Sequence, residues 1–579
     1  MSTREKVLVI GDDTRSFLAT VRSLGRQGLE VHVAPFDFRS PALRSRYIHK
    51  AHFLPYYLDG GAAWLAAIET LLREYDFKLV IPCDERGLLP LCLHRDSLSA
   101  RCALAIPSPD TLDTFFDKVK TRELAQACDV AVAPGRMLAP DDTIESIVAD
   151  IGLPVVIKEP MSYALPELYV RTSTRIVDDR EALAAWLSRQ DRQAPILFEQ
   201  KFPGFGAGVS VLCAEGAVLQ AFEHVRAHEF NGSGYYRKSA ALDPGRLAAV
   251  ERMVRASRYT GLAMFEFKID DEGGGWILIE VNARPWGSLP LPVSIGVDFP
   301  YRLYRLLVHG EITPAVNYPA GRYCRNLVLD MWQTRMSAAE MTGQPSKLVA
   351  HCANWAWGFH RMLLGREHFD TLVLDDPKPG LHELRELVAG RLAAQRRGQP
   401  VVARLKQRLG ELMAHGDARP VEVLFVCQGN INRSSYAELK AKQLFDGANI
   451  RFASAGMLPR NQRPSPAVAI AAAARHGVAM DAHRSRHASA TLLEAADLVI
   501  AFDQINLDSI AARYPHLVDR IYLLGEADAG SAVDVQILDP EGKDETTFLS
   551  TYRRIDVCLA ELLPTVSASS EPLQKTISC

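Results

Sequence analysis

The chain opens with an apolar run, Lys6 to Ile10, that ends at the turn Gly11-Asp12-Asp13. Phe17, Val21 and Leu24 then recur at i, i+4 and i+7, which puts them on one face of a helix, and Gly28 marks its end. Glu30 to Ala34 and Leu79 to Pro82 repeat the buried-strand pattern. Alternation of strand and helix predicts a parallel α/β sheet over residues 1–110. From 111 to 320 the rhythm changes, and strands follow one another directly: Ile196 to Gln200, Gly208 to Leu212, Ala217 to Phe222. This predicts an α+β region with antiparallel pairing. Within it Met264 to Ile269 alternates, Asp270 to Gly275 turns, and Trp276 to Asn282 returns, so a hairpin sets Glu266, Glu280 and Asn282 on one face. Residues 321–418 read as an extension with a loop, Asp375 to Gly380, and a helical linker from His382 to Met413. At Val421 a second α/β unit begins and runs to 566, and 567–579 has the serine-rich composition of a disordered tail.

Composition narrows the class. Hydrophobic residues make up 48% and charged residues 23%, which fits a soluble globular chain of several domains. The net charge of -3, from 66 basic and 69 acidic residues, gives no electrostatic reason for nucleic acid or a membrane as partner. The first apolar run is too short for a secretory signal, and no segment approaches the roughly 20 apolar residues of a membrane span. The chain reads as cytoplasmic. Its ten cysteines contain no C-x-x-C pair, which argues against a disulfide framework or a zinc-thiolate site.

One cysteine stands apart. Val421 to Val426 is a continuous strand, followed by Cys427-Gln428-Gly429-Asn430-Ile431-Asn432-Arg433-Ser434 and then by apolar positions at helical spacing. A loop that winds from a strand into a helix start turns backbone N–H groups inward, cradles an anion and favours thiolate over thiol. Arg433 offers a planar fork for two phosphate oxygens, and the Ser434 hydroxyl can donate to the thiolate. A general acid is still needed for the leaving group, and Asp539-Pro540 at the end of Val533 to Leu538 supplies one. The stretch VLFVCQGNINRSSYAE, with Ser454-Ala455-Gly456, Arg463-Pro464-Ser465-Pro466, His483-Arg484-Ser485-Arg486 and Asp539-Pro540 in order, resembles low-molecular-weight protein tyrosine phosphatases. The resemblance implies a doubly wound parallel sheet, nucleophilic attack by Cys427 and transition-state stabilisation by Arg433. It also implies acid and then base work by Asp539, and a loop held by Asn430, Ser434, Ser454 and His483. The substrate would be a phosphorylated protein or a small phosphomonoester. Two positions depart from the family: Asn432 stands where a second cysteine is common, and Glu541-Gly542 follow Asp-Pro where eukaryotic members have aromatics. An arsenate reductase shares the loop but needs further cysteines, and only Cys558 and Cys579 follow.

The first half has its own candidate chemistry. Two carboxylates and an amide oxygen, Glu266, Glu280 and Asn282, suit Mg²⁺, and Arg284 lies two residues further on. Val155-Val156-Ile157-Lys158 is a strand ending in a cation, and Glu199 closes another strand. The order Asp117-Lys118, VVIK, FEQKFPGFGAGVSV, FEFKID and ILIEVNARPWGS resembles the ATP-grasp family, with 1–110 similar to its preceding α/β domain and 111–320 to the ATP-grasp domain itself. The resemblance implies ATP held by Lys118, Lys158 and Glu199, Mg²⁺ held by Glu266, Glu280 and Asn282, and Arg284 steadying phosphate. Such enzymes join a carboxylate to an amine. Glu159 to Val170 contains no glycine where the family has a glycine-rich loop. The expectation is a bifunctional multidomain α/β enzyme. The alternative is a regulatory protein whose first half only binds nucleotide.

Overall fold

The structure is a computed structural model. It describes residues 4–36, 40–55, 57, 59–163, 168, 174–188, 195–230, 233–270, 274–340, 349, 353, 355, 359–385, 387, 402–414, 419–458, 461–527 and 536–562. The chain divides into two compact units, Met1–Leu387 and Val388–Cys579. No helix among the described residues is long and apolar enough to cross a membrane.

Among the described residues the first unit forms three sheets. The first is parallel, in the order β3-β2-β1-β4-β5, from β1 (Lys6–Ile10), β2 (Glu30–Ala34), β3 (Ile48–Ala51), β4 (Phe77–Pro82) and β5 (Ala103–Leu104). Helix α1 (Ser16–Arg26) lays Phe17, Val21 and Leu24 against it, and all three are fully buried. A second sheet, antiparallel in the order β6-β9-β7-β8, joins Gly135–Met137 (β6), Val155–Lys158 (β7), Arg175–Val177 (β8) and Leu197–Gln200 (β9). The third has seven strands in the order β14-β13-β10-β11-β12-β15-β16. They are β10 (Phe205–Ala214), β11 (Ala217–Phe230), β12 (Ser233–Ala240), β13 (Gly261–Ile269), β14 (Trp276–Asn282), β15 (Tyr323–Arg325) and β16 (Glu367–Phe369). The strands read from the alternating pattern are present, with β10 and β11 longer than their apolar runs suggest, because hairpin pairing extends them through polar positions.

Residues beyond 320 complete this unit rather than merely leave it. β15 and β16 extend the large sheet, and the loop Asp375 to Gly380 returns to the first one. Asp376 is fully buried and accepts from Arg22 Nε at 2.9 Å, Ser45 Oγ at 2.7 Å and the Arg46 amide at 2.9 Å. Arg22 also donates to the carbonyls of Asp370, Thr371 and Asp376. Of the helical stretch His382 to Met413, positions 386 and 388–401 lie outside the described residues.

The second unit is a four-stranded parallel sheet, β18-β17-β19-β20, formed by β17 (Val421–Cys427), β18 (Ile450–Gly456), β19 (Leu498–Ala501) and β20 (Ile521–Leu523). Alternate residues of β17 face two cores. Val423, Phe425 and Cys427 meet helices α3 (Arg433–Leu444), α4 (Ala467–Arg475) and α7 (Glu545–Ala560). Leu424 and Val426 meet α5 (Ala490–Ala495) and α6 (Gln504–Arg513). Helix α2 (Val402–Ala414), read from sequence as linker, buries Leu405 and Leu409 in the first of these cores. The tail 567–579 lies outside the described residues.

Because Asp376 and Arg22 are both removed from water, deleting one strands the other. Asp376→Ala is expected to cost about 3–5 kcal/mol, read as a lowered denaturation midpoint of the first unit, whereas Asp375→Ala, whose partner Arg26 is partly exposed, should be nearly silent.

Candidate functional site

β17 ends at Cys427, and α3 starts at Arg433, so the five intervening residues form a loop at the carboxyl end of the central strand. This is where ligands sit in doubly wound sheets. Asn430 is its node. Its φ of 53° is left-handed, a conformation Asn tolerates better than most residues. The turn aims the Asn430 amide at Cys427 Sγ, 3.3 Å away. Its side-chain amide donates to Ser434 Oγ at 2.9 Å and Ser454 Oγ at 2.8 Å, and its Oδ1 accepts from the Arg486 amide at 2.9 Å. Ser434 Oγ, which accepts from Asn430, lies 3.0 Å from Cys427 Sγ and 3.4 Å from the Ala455 carbonyl. Ser454 Oγ in turn donates to Glu438 Oε2 at 2.5 Å. His483 Nε2 donates to the Asn430 carbonyl at 2.8 Å. Burial lowers the His483 pKa, although the Asn430 carbonyl acts the other way.

Arg433 is 1% exposed. Nη1 donates to Asp503 Oδ2 at 2.6 Å and the Ile537 carbonyl at 2.7 Å, while Nη2 donates to Asp539 Oδ2 at 2.6 Å. Nε is buried and has no hydrogen-bond partner. One edge of the guanidinium is therefore clamped by protein, and the Nε–Nη2 edge can take two oxygens of a phosphate once Asp539 lets go. Asp503 was not evident from sequence. Its local role hides it: Oδ1 caps α6 by accepting from the Asn506 amide at 2.8 Å. Its position just past an apolar strand, Leu498–Ala501, was the available signal. The two departures from the family pattern meet, since Asn432 Nδ2 donates to Glu541 Oε2 at 2.6 Å.

In the first unit the hairpin β13–β14 places Glu266 opposite Glu280 and Met264 opposite Asn282. Asn282 Nδ2 donates to Glu280 Oε1 at 3.1 Å. Glu266 pairs with Arg226 of β11 at 2.6 Å, a residue sequence reasoning missed because nothing local distinguishes it. Burial pushes the Glu266 carboxyl up to about 7, with Arg226 opposing and Glu280 assisting the shift. Arg284 Nη2 donates to Glu85 Oε1 at 2.8 Å. A cavity is lined by Lys118, Ser162, Glu280, Asn282, Arg284 and Glu85. Lys118 Nζ reaches Ser162 Oγ and the Glu159 carbonyl, each at 3.2 Å. Lys158 and Glu199 do not line it. They lie on adjacent strands, β7 and β9, and pair with each other at 2.5 Å, with Arg122 on Glu199 at 3.2 Å. Much of the glycine-free stretch Glu159 to Val170 lies outside the described residues.

The loop fits because β18 leaves room for it. A Cβ on Gly456 would stand 2.9 Å from both the Asn430 nitrogen and the Gly429 carbonyl carbon. Both are backbone atoms, so the loop would have to move. Gly456→Ala is expected to weaken binding of an oxyanion such as tungstate by at least about tenfold, measured by calorimetry, with the far-ultraviolet dichroism unchanged.

A known family matches the second unit. Residues 422–574 match the family described as low molecular weight phosphotyrosine protein phosphatase. A protein-arginine-phosphatase of Bacillus subtilis strain 168 is 30% identical over 144 residues, which is 24% of this chain and 94% of that protein. A putative urea carboxylase of Emericella nidulans is 25% identical over 205 residues, 33% of this chain, and the chain spans only 16% of that relative's length. An N5-carboxyaminoimidazole synthetase of Staphylococcus aureus, solved with ADP, aligns at 14% identity and a TM-score of 0.43 over 55% of this chain and 81% of that one. Through residues 422–574 the chain belongs to the low molecular weight phosphotyrosine protein phosphatase family.

Proposed function

We propose that the second unit hydrolyses phosphomonoesters through a phosphocysteine and that the first is an ATP- and Mg²⁺-dependent carboxylate–amine ligase. The half-clamped Arg433 is the observation that carries the first part. A phosphate entering the loop takes Nε and Nη2, while Asp503 and the Ile537 carbonyl keep the guanidinium in place. The displaced Asp539 then stands beside the leaving oxygen. Cys427 Sγ attacks phosphorus in line as the bond to the leaving oxygen breaks, and protonated Asp539 gives that oxygen its proton. The same carboxylate next takes a proton from water, which attacks the phosphocysteine and releases phosphate and Cys427. Asn430, Ser434 and His483 position the loop and the thiolate.

The family is named for phosphotyrosine and the B. subtilis relative for phosphoarginine. Both are phosphorylated side chains on proteins, and a phosphorylated protein is the substrate class we assign. Glu541, beside the loop, favours a substrate whose surroundings are cationic.

In the first unit the donor set fits Mg²⁺. Glu266 and Glu280 face each other across a hairpin, and burial with mutual repulsion raises the Glu266 carboxyl, a cost that a hard dication would relieve. Glu266, Glu280 and Asn282 would hold the ion, and Lys118 and Arg284 would face phosphate oxygens in the cavity they share. ATP would supply the phosphoryl group that activates a carboxylate. Lys158, tied to Glu199, supports the narrower reading in which this unit binds nucleotide without turnover.

Hydrolysis of p-nitrophenyl phosphate is expected to vanish in Cys427→Ser and to fall about 10²–10⁴-fold in kcat for Asp539→Asn. An unaltered rate in Asp539→Asn would place the acid elsewhere. Nucleotide binding by the full chain should strengthen with Mg²⁺, and Glu280→Gln should remove that dependence. Release of ADP only when a carboxylate and an amine are added would separate a ligase from a nucleotide-binding regulator.

A further inference from the structure

Three histidines and a glutamate gather at the outer edge of the first sheet, well apart in sequence from the residues assigned above. Glu30 and His32 are two positions apart on β2, so they share a face. β3 is the edge strand, and its register against β2 slips by one residue: Val31 pairs with Ile48, but His32 pairs with Lys50. His49 is the extra residue of this bulge, which turns its ring toward His32. The two rings stack with centroids 5.2 Å apart. His32 Nε2 lies 3.0 Å from Glu30 Oε1, and His49 Nε2 lies 3.7 Å from the same oxygen. One ligand atom from each of Glu30, His32 and His49 falls within 4.8 Å of the others. Ligands around a zinc ion about 2.0–2.1 Å away stand roughly 3.3 Å from one another, so the set needs only small side-chain adjustments to close on an ion.

The surroundings are those of a metal site as well. Behind His32, which is 1% exposed, His52 Nε2 lies 2.8 Å from His32 Nδ1. In this structure His32 Nε2 donates to Glu30 Oε1; an ion taken up at Nε2 would displace that proton, and His52 Nε2 is placed to accept from Nδ1 in the tautomer that ligation requires. His49 is exposed and leaves a fourth position open to water. Lys6 and Lys50 stand over the neighbouring Tyr75 ring, at 5.9 and 5.1 Å, and Lys50 also donates to the Tyr75 hydroxyl. Their charge opposes a dication held by electrostatics alone. The site therefore selects an ion that binds imidazole strongly, and disfavours Mg²⁺ and Ca²⁺.

We propose that Glu30, His32 and His49 form a binding site for Zn²⁺ or a similar late divalent transition ion, with His52 as positioning residue, and that the ion pins the edge strand β3 to β2. The test is a titration of the chelator-treated full chain with Co²⁺, followed by its visible absorption, and then with Zn²⁺. About one equivalent of Co²⁺ should give the bands of a low-symmetry nitrogen–oxygen site without thiolate charge transfer, and Zn²⁺ should displace it. His49→Ala, which removes an exposed side chain and leaves the fold intact, should abolish these bands, as should Glu30→Gln. His52→Phe should weaken Co²⁺ binding about 10–100-fold while keeping the band shape. The proposal is overturned if wild type shows no saturable band, if the band carries thiolate charge transfer, or if it persists unchanged in His49→Ala and Glu30→Gln.

Discussion

A guanidinium withdrawn from water must be met by negative charge, and at Arg433 that requirement organises the phosphatase unit. Asp503 and the Ile537 carbonyl meet it on one side, and Asp539 meets it on the other. In the proposed mechanism the residue that binds phosphate and the residue that protonates the leaving group are thereby linked, since occupation of one releases the other. The same constraint recurs in the first unit. Arg22 is met by Asp376, Arg237 by Asp370 and Arg226 by Glu266, and these contacts join a helix, strands and loops far apart in the chain. Fully buried ion pairs add little net stability against an apolar alternative, but they are costly to break. Their effect is to fix which segments meet.

Local chemistry was legible in the sequence and long-range pairing was not. A strand, a C-x5-R-S loop and a helix start form a contiguous stretch, so Cys427, Arg433 and Ser434 could be placed together from spacing alone, and Asn430 from the family resemblance. Asp539 could be read because the end of an apolar segment and a proline mark it. Asp503 could not, because its carboxylate looks like any helix cap, and its second oxygen serves an arginine 70 residues away. In the first unit the alternation of β13 and β14 put Glu266, Glu280 and Asn282 on one face, and the register does the same. Lys158 and Glu199 were read separately, as two contacts to a nucleotide. They stand on neighbouring antiparallel strands, where opposite charges find each other. The linker reading of 402–414 missed that Leu405 and Leu409 are core residues, because an amphipathic helix shows its apolar stripe but not what covers it. The bulge that turns His49 toward His32 has no sequence signature at all.

Each unit carries its own core and its own polar site, and nothing in the chemistry of one requires the other. A covalent link between them raises the local concentration of one site near the product of the other, which is an advantage wherever a phosphorylated molecule is common to both.

Asn432 occupies a position beside the nucleophile and is held by Glu541 rather than by sulfur. The polar neighbours of Cys427 Sγ are the Ser434 hydroxyl and the Asn430 amide, neither of which can form a disulfide. A thiolate oxidised by peroxide to the sulfenic acid is normally rescued by condensing with a nearby thiol, which stops oxidation short of the sulfinic and sulfonic acids. Here no thiol stands in that place. Rescue of the sulfenic acid is then left to small thiols from solution or to the Asn430 backbone nitrogen, 3.3 Å from Sγ.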